Sequence, residues 1–258
     1  MGLPMPEALQ GVDDDGPTLP ATHATTTLVF DSVLSGLELL PKLCPIFQKQ
    51  LVYFFYGRMA YRVADDGEAD DADALAPVVL VVRSETLDDV RAVYPFDTGG
   101  FSIYQTAIAK GAELNKFELG DIATARRLIN CYWNSPNSYF WFHTAQLNPT
   151  PPIQPHQLYA AMYGNLLRAK GVRGADDRRG TIEISTSSAI KVNRDNLVGM
   201  VVPNFFADNP RVRALGAPPV IMVTYPWHGG AVGGYYRKVQ DKVFEILVEA
   251  KFLQSEPT

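Results

Sequence analysis

Residues 51–62, LVYFFYGRMAYR, place two guanidinium groups, Arg58 and Arg62, beside two phenols, Tyr56 and Tyr61, directly after an apolar run. Guanidinium forks pair with carboxylates and phosphates, and phenols add directed hydrogen bonds, so the cluster suits an anionic ligand. Upstream lies His23 with Thr25, and far downstream Glu183 stands between Ile182 and Ile184. A carboxylate fixed on a strand can stabilise positive charge that develops in a transition state.

Other chemistries lack their patterns. No GxSxG elbow is present, although His228-Gly-Gly in WHGGAVGGYY looks like an oxyanion-hole loop. A hydrolase using His228 with a loop serine or cysteine is therefore one alternative. The histidines, His23, His143, His156 and His228, are scattered without HExxH spacing, so no metal is expected. Neither a Walker A sequence nor a GxGxxG after a strand occurs.

These groups need elements to hold them. The apolar run 51–56 predicts a strand buried on both faces, broken by a turn at Gly57. Leu28, Val29, Val33, Leu34, Leu37 and Leu40 recur at helical spacing before Pro41, which predicts a helix over 28–40. Residues 65–73, DDGEADDAD, read as a solvated acidic loop, and 78–82 as a second strand. Residues 84–94 read as a turn of helix. YPFDTGGF is dense in turn formers, and Asp97 with the Gly99-Gly100 pair would allow a corner with positive φ. Helices are expected over 102–110, 120–132, 157–170 and 235–253, and strands over 181–184, 197–202 and 220–225. The aromatic and proline-rich stretch 135–155 has the length of a lid or substrate loop. Short strands among irregularly placed helices predict an α+β fold.

At 258 residues, 47% hydrophobic and 20% charged, the composition is that of a globular protein, and a net charge of -5 argues against a surface that grips nucleic acid throughout. Residues 1–20, with three consecutive aspartates, read as a flexible tail ahead of a single domain over 21–258. Cys44 and Cys131 form no CxxC pair, which fits a reducing cytoplasm. No stretch approaches the roughly 18 apolar residues of a membrane span, so no membrane partner is expected.

Three segments in order carry a resemblance: His23-Ala-Thr25 ahead of a helix, FYGRMAYR closing a buried strand, and RRGTIEIS with Glu183. The order resembles the ADP-ribosyltransferase fold, and within it the DNA-modifying toxins of the DarT kind. Those begin with His-x-Thr and a helix of the form Leu-x-x-Ile-Leu-x-x-Gly-Leu, to which Phe30, Val33, Leu34, Gly36 and Leu37 are similar. Their Phe-Tyr-Phe-x-Pro-Arg-Ser-Pro-Met segment is similar to Phe54-Phe55-Tyr56-Gly57-Arg58-Met59-Ala60. The chain departs from them at Val29, where the family has Asn, and in the Gly-Arg-Met-Ala turn.

The resemblance implies a split, mostly antiparallel sheet flanked by helices, with NAD as the substrate. His23 would bond the ribose or amide of NAD, with Thr25, Tyr56, Tyr61 and Arg62 beside it. Arg58 would neutralise the diphosphate or activate the acceptor, and Glu183 would act on the nicotinamide ribose. It further implies a toxin or defence effector that modifies a macromolecule, DNA or RNA among the acceptors, with an antitoxin protein as a partner. A non-catalytic NAD-binding or nucleotide-binding module of the same fold is the remaining alternative.

Overall fold

The computed structural model describes residues 3–60, 73–170, 177–230 and 232–255. In chain order the elements are α1 (Met5–Ala8), β1 (Ala21–Thr26), α2 (Thr27–Gly36), β2 (Glu38–Leu39), β3 (Lys42–Cys44), β4 (Lys49–Tyr56), β5 (Pro77–Val82) and β6 (Val90–Tyr94). There follow α3 (Phe101–Tyr104), α4 (Ile122–Tyr132), α5 (Pro136–Trp141), α6 (Leu158–Arg168), β7 (Glu183–Thr186), β8 (Ile190–Lys191), β9 (Leu197–Pro203), α7 (Pro210–Leu215), β10 (Ile221–Tyr225) and α8 (Tyr236–Glu249). The fold is α+β, as the element pattern predicts, and its strand pairing is mostly antiparallel, as the resemblance implies. No described helix is long and apolar enough to cross a membrane.

The chain gathers into two compact units. The first comprises Met1–Thr18, Pro45–Phe47 and Val90–Ser185, and the second Leu19–Cys44, Gln48–Asp89 and Thr186–Thr258.

In the second unit the strand order is β10-β9-β5-β1-β4, with β3 on β4. β5 and β9 are buried at every residue, which is why Pro77–Val82 and Leu197–Pro203 consist almost wholly of apolar side chains. Only β10 against β9 is parallel among these pairs, and α8 packs across both with Val239, Val243, Ile246 and Leu247 buried. Each such side chain contributes about 1.5–3 kcal/mol on leaving water. Helix α2 starts where Thr26 accepts from the Val29 N–H at 3.4 Å and stops earlier than its apolar spacing suggests. Leu37 turns into the left-handed region at φ 53°, and Leu40 is left exposed.

The run 51–56 is a strand, but not one covered on both faces. Tyr53 and Phe55 are half-buried between the buried Val52, Phe54 and Tyr56, so the aromatics alternate as on a half-exposed sheet. Gly57 does make the turn, at φ 66°, where an added Cβ would lie 2.4 Å from Leu19 Cδ1.

In the first unit β6 pairs beside β7, and α4 and α6 supply most of the helical core. The expected helical turn at 84–94 is instead a 3-10 turn at Ser84–Thr86 followed by β6, because Val93 and Tyr94 find a buried face that local spacing does not disclose. The helix expected over 102–110 is only the single turn α3, and the 135–155 connection contains α5, capped by Ser135. The N-terminal stretch is packed where a tail is expected: Met5, Ala8 and Leu9 are buried, and Asp14 pairs with Arg126 at 3.4 Å and Arg127 at 3.7 Å. Those few apolar residues suffice because α1 lies against α6.

Candidate functional site

His23 and Thr25 lie on β1 of the second unit, both half-buried. Antiparallel pairing of Thr22 with Phe55 brings β4 alongside, and His23 Nδ1 meets the Tyr53 carbonyl at 2.8 Å. A carbonyl only accepts, so Nδ1 carries the proton and Nε2 presents a lone pair. Burial lowers the His23 pKa from its ordinary value, the Tyr53 bond opposing this and the Lys42 charge adding to it. The imidazole is thus a neutral acceptor, of the kind a ribose hydroxyl can donate to. The Phe54 ring supports it at 5.5 Å between centroids.

Arg58 follows the Gly57 turn and is 0% exposed. Its carbonyl accepts the Thr22 hydroxyl at 2.8 Å, which ties the exit of β4 to β1. Guanidinium keeps its charge at any such depth. Tyr56 corrects an expectation: it is fully buried, and its hydroxyl accepts the Leu19 N–H at 3.0 Å, a core anchor rather than a ligand-facing phenol. The physical reason is the alternation of β4, which turns Tyr56 to the same side as Phe54. Tyr61 and Arg62, with acidic-loop residues 65–72, lie outside the described residues.

Glu183 belongs to the first unit and is 3% exposed, deeper than its place between two isoleucines suggests. Thr98 holds both of its oxygens, the hydroxyl donating to Oε1 at 2.7 Å and the backbone N–H to Oε2 at 3.2 Å. Burial raises the Glu183 pKa to about 8; the Thr98 bonds oppose the rise, and the adjacent Asp97 carboxylate adds to it by charge and hydrogen bonding. Burial also pushes the Tyr94 phenol up to about 12, with Glu118 and Glu183 contributing.

The turn that carries Thr98 is itself braced. Asp97 accepts the Gly99 N–H at 2.9 Å, pairs with Arg178 at 3.5 Å and donates its own N–H to the Arg178 carbonyl at 3.1 Å. The positive φ that Gly99 and Gly100 would allow is taken by neither. Gly100 is instead required by space, since an added Cβ would lie 2.3 Å from the Tyr104 ring. Thr98 and Asp97 are the neighbours of Glu183 that the sequence reading does not connect with it. The signal available was the demanding YPFDTGGF turn, without any indication of its partner.

His228 stands apart from these groups in the chain, in a pocket of the second unit lined by Asp73, Phe205, Trp227 and Gly229. None of those described lining residues is a serine or cysteine. Among the described residues no three His, Cys, Asp or Glu side chains gather as a metal site. Comparison with protein-family models, with curated proteins and with solved structures gave no match.

Proposed function

We propose that this chain is an NAD-dependent ADP-ribosyltransferase that transfers ADP-ribose to a macromolecule, with nucleic acid the acceptor class that its resemblance to the DarT-type toxins suggests. The observation that carries the reading is the seat of Glu183. A carboxyl 3% exposed and raised to about 8 costs stability, and an apolar side chain would fill such a place more favourably. Ionisable groups perturbed in this way cluster at sites that use them.

In this reading Glu183, once ionised, bonds the nicotinamide ribose and stabilises the oxocarbenium-like charge as the glycosidic bond breaks. His23 accepts a hydroxyl of NAD through Nε2. Arg58, which is fully buried, neutralises the diphosphate or activates the acceptor, the role that the resemblance implies. Thr98 holds the carboxylate and Asp97 sets how readily it ionises. Incubation with labelled NAD and candidate DNA, RNA and protein acceptors tests the reading: nicotinamide release with labelling of one acceptor is expected, and absence of release with all of them contradicts it.

A further inference from the structure

The WHGGAVGGYY segment contributes to a pocket of the second unit that has no part in the roles proposed above. Asp73, Phe205, Trp227, His228 and Gly229 line a volume of about 500 Å³, within the range that holds a small organic ligand. Its wall is fixed. The Trp227 indole N–H donates to Asp73 Oδ1 at 3.0 Å, and the Trp227 backbone N–H to Asn204 Oδ1 at 3.2 Å. The Tyr235 ring packs on Trp227 at 4.5 Å between centroids. Its hydroxyl accepts the His228 N–H at 3.1 Å and donates to the Gly229 carbonyl at 3.0 Å, closing a turn in which Gly229 takes φ 78°.

The pocket offers three kinds of group. Phe205, at the 3-10 turn after β9, is 42% exposed and presents a flat apolar face. Asp73 Oδ2 makes no hydrogen bond to a described residue and can only accept when ionised. His228, exposed, supplies an imidazole at the rim. Trp227 is 6% exposed, so it supports the wall and leaves Phe205 as the exposed stacking ring. A quaternary ammonium would call for several ring faces around it. A planar ring carrying an N–H donor needs one face and one acceptor, which is what is present.

We propose that this pocket takes an amino-bearing nucleobase, stacked on Phe205 with its exocyclic amine donating to Asp73. The site uses side chains of the second unit alone and does not depend on the ADP-ribosyltransferase reading. The base can come from a free nucleoside or from a single strand, and the two sources are separable by experiment.

The test is calorimetric titration of the full chain, without NAD, using adenosine, purine riboside and a short oligodeoxyadenylate. Purine riboside differs from adenosine only by lacking the amine, so its binding should be weaker by at least about tenfold, the loss of one hydrogen bond to a charged group. Asp73→Asn should reduce that difference, since the amide oxygen still accepts from Trp227 while an NH2, which cannot accept, replaces Oδ2. Phe205→Ala, a change at an exposed ring, should weaken both ligands alike. Binding of the oligonucleotide but not of adenosine supports the proposal with a strand as the source; equal binding supports it with a free nucleoside. Equal affinity for adenosine and purine riboside, or no binding of adenosine and oligonucleotide alike, overturns it.

Discussion

Thr98 grips Glu183 twice, by its hydroxyl at 2.7 Å and by its backbone N–H at 3.2 Å, so one residue orients both carboxyl oxygens. Both bonds favour the ionised form and oppose the desolvation that raises Glu183 to about 8. Thr98→Val deletes the hydroxyl and keeps the shape. It should destabilise the fold by about 1–3 kcal/mol and move the titration of Glu183 further up. Urea unfolding reads the first effect, and carboxyl titration followed by NMR reads the second.

Asp97 acts in the opposite sense. Its negative charge beside Glu183 disfavours ionisation, so Asp97→Asn, which can still accept the Gly99 N–H, should lower the Glu183 titration. Under the proposed activity, the pH profile of nicotinamide release moves to lower pH in Asp97→Asn and to higher pH in Thr98→Val. A purely structural Glu183 would leave those profiles in place.

The sign for stability follows from linkage. The folded pKa of Glu183, about 8, lies above the ordinary carboxyl value of 4.5, so the folded state holds its proton more tightly than the unfolded chain. Its contribution is fully present below about pH 4.5 and is lost as pH rises through about 8. His23 runs the other way, its lowered pKa contributing stability above its ordinary value of 6.5 that is lost on acidification. Comparison of wild type with Glu183→Gln isolates the first contribution. The variant should gain relative stability between pH 5 and 8, on the order of a few kcal/mol. Equal slopes of unfolding free energy against pH in the two proteins would contradict this.

Gly100 is placed by space, not by φ. A methyl group there would lie 2.3 Å from the Tyr104 ring, so Gly100→Ala must displace either the ring or the turn that bears Thr98. Overpacking of this kind costs about 1–3 kcal/mol. Thermal unfolding should show the loss, and the Glu183 titration should shift with it, although the substitution touches no charged group.

Much of the scaffold was legible. The apolar runs of β5 and β9 and the stripe of α8 read directly, because burial on a sheet or along one helix face imposes its period on local sequence. The depth of Glu183 was not. In Thr181-Ile182-Glu183-Ile184 the alternation is that of any half-exposed strand, and its partner Thr98 lies 85 residues earlier. β6 was missed for the same reason, its burial being supplied from outside 90–94. The uniformly apolar look of LVYFFY hides the pleat, which leaves Tyr53 and Phe55 half-buried and turns Phe54 and Tyr56 into the core. The β1 register that seats His23 on Tyr53 depends on a pairing across 30 residues, beyond any local pattern.

His23→Ala removes the neutral acceptor that the Tyr53 carbonyl orients. Under the proposed activity, NAD affinity should fall by about tenfold, the loss of one well-placed hydrogen bond, with the fold intact. Calorimetry with NAD checks it, and unchanged affinity would remove His23 from the site.

Nicotinamide release from NAD by wild type and by Glu183→Ala, with circular dichroism to confirm that both are folded, tests whether Glu183 carries the proposed activity. Release by wild type in the presence of its acceptor, and none by the folded variant, is expected. Equal release by both, or no release by wild type with DNA, RNA or protein acceptors, would contradict it.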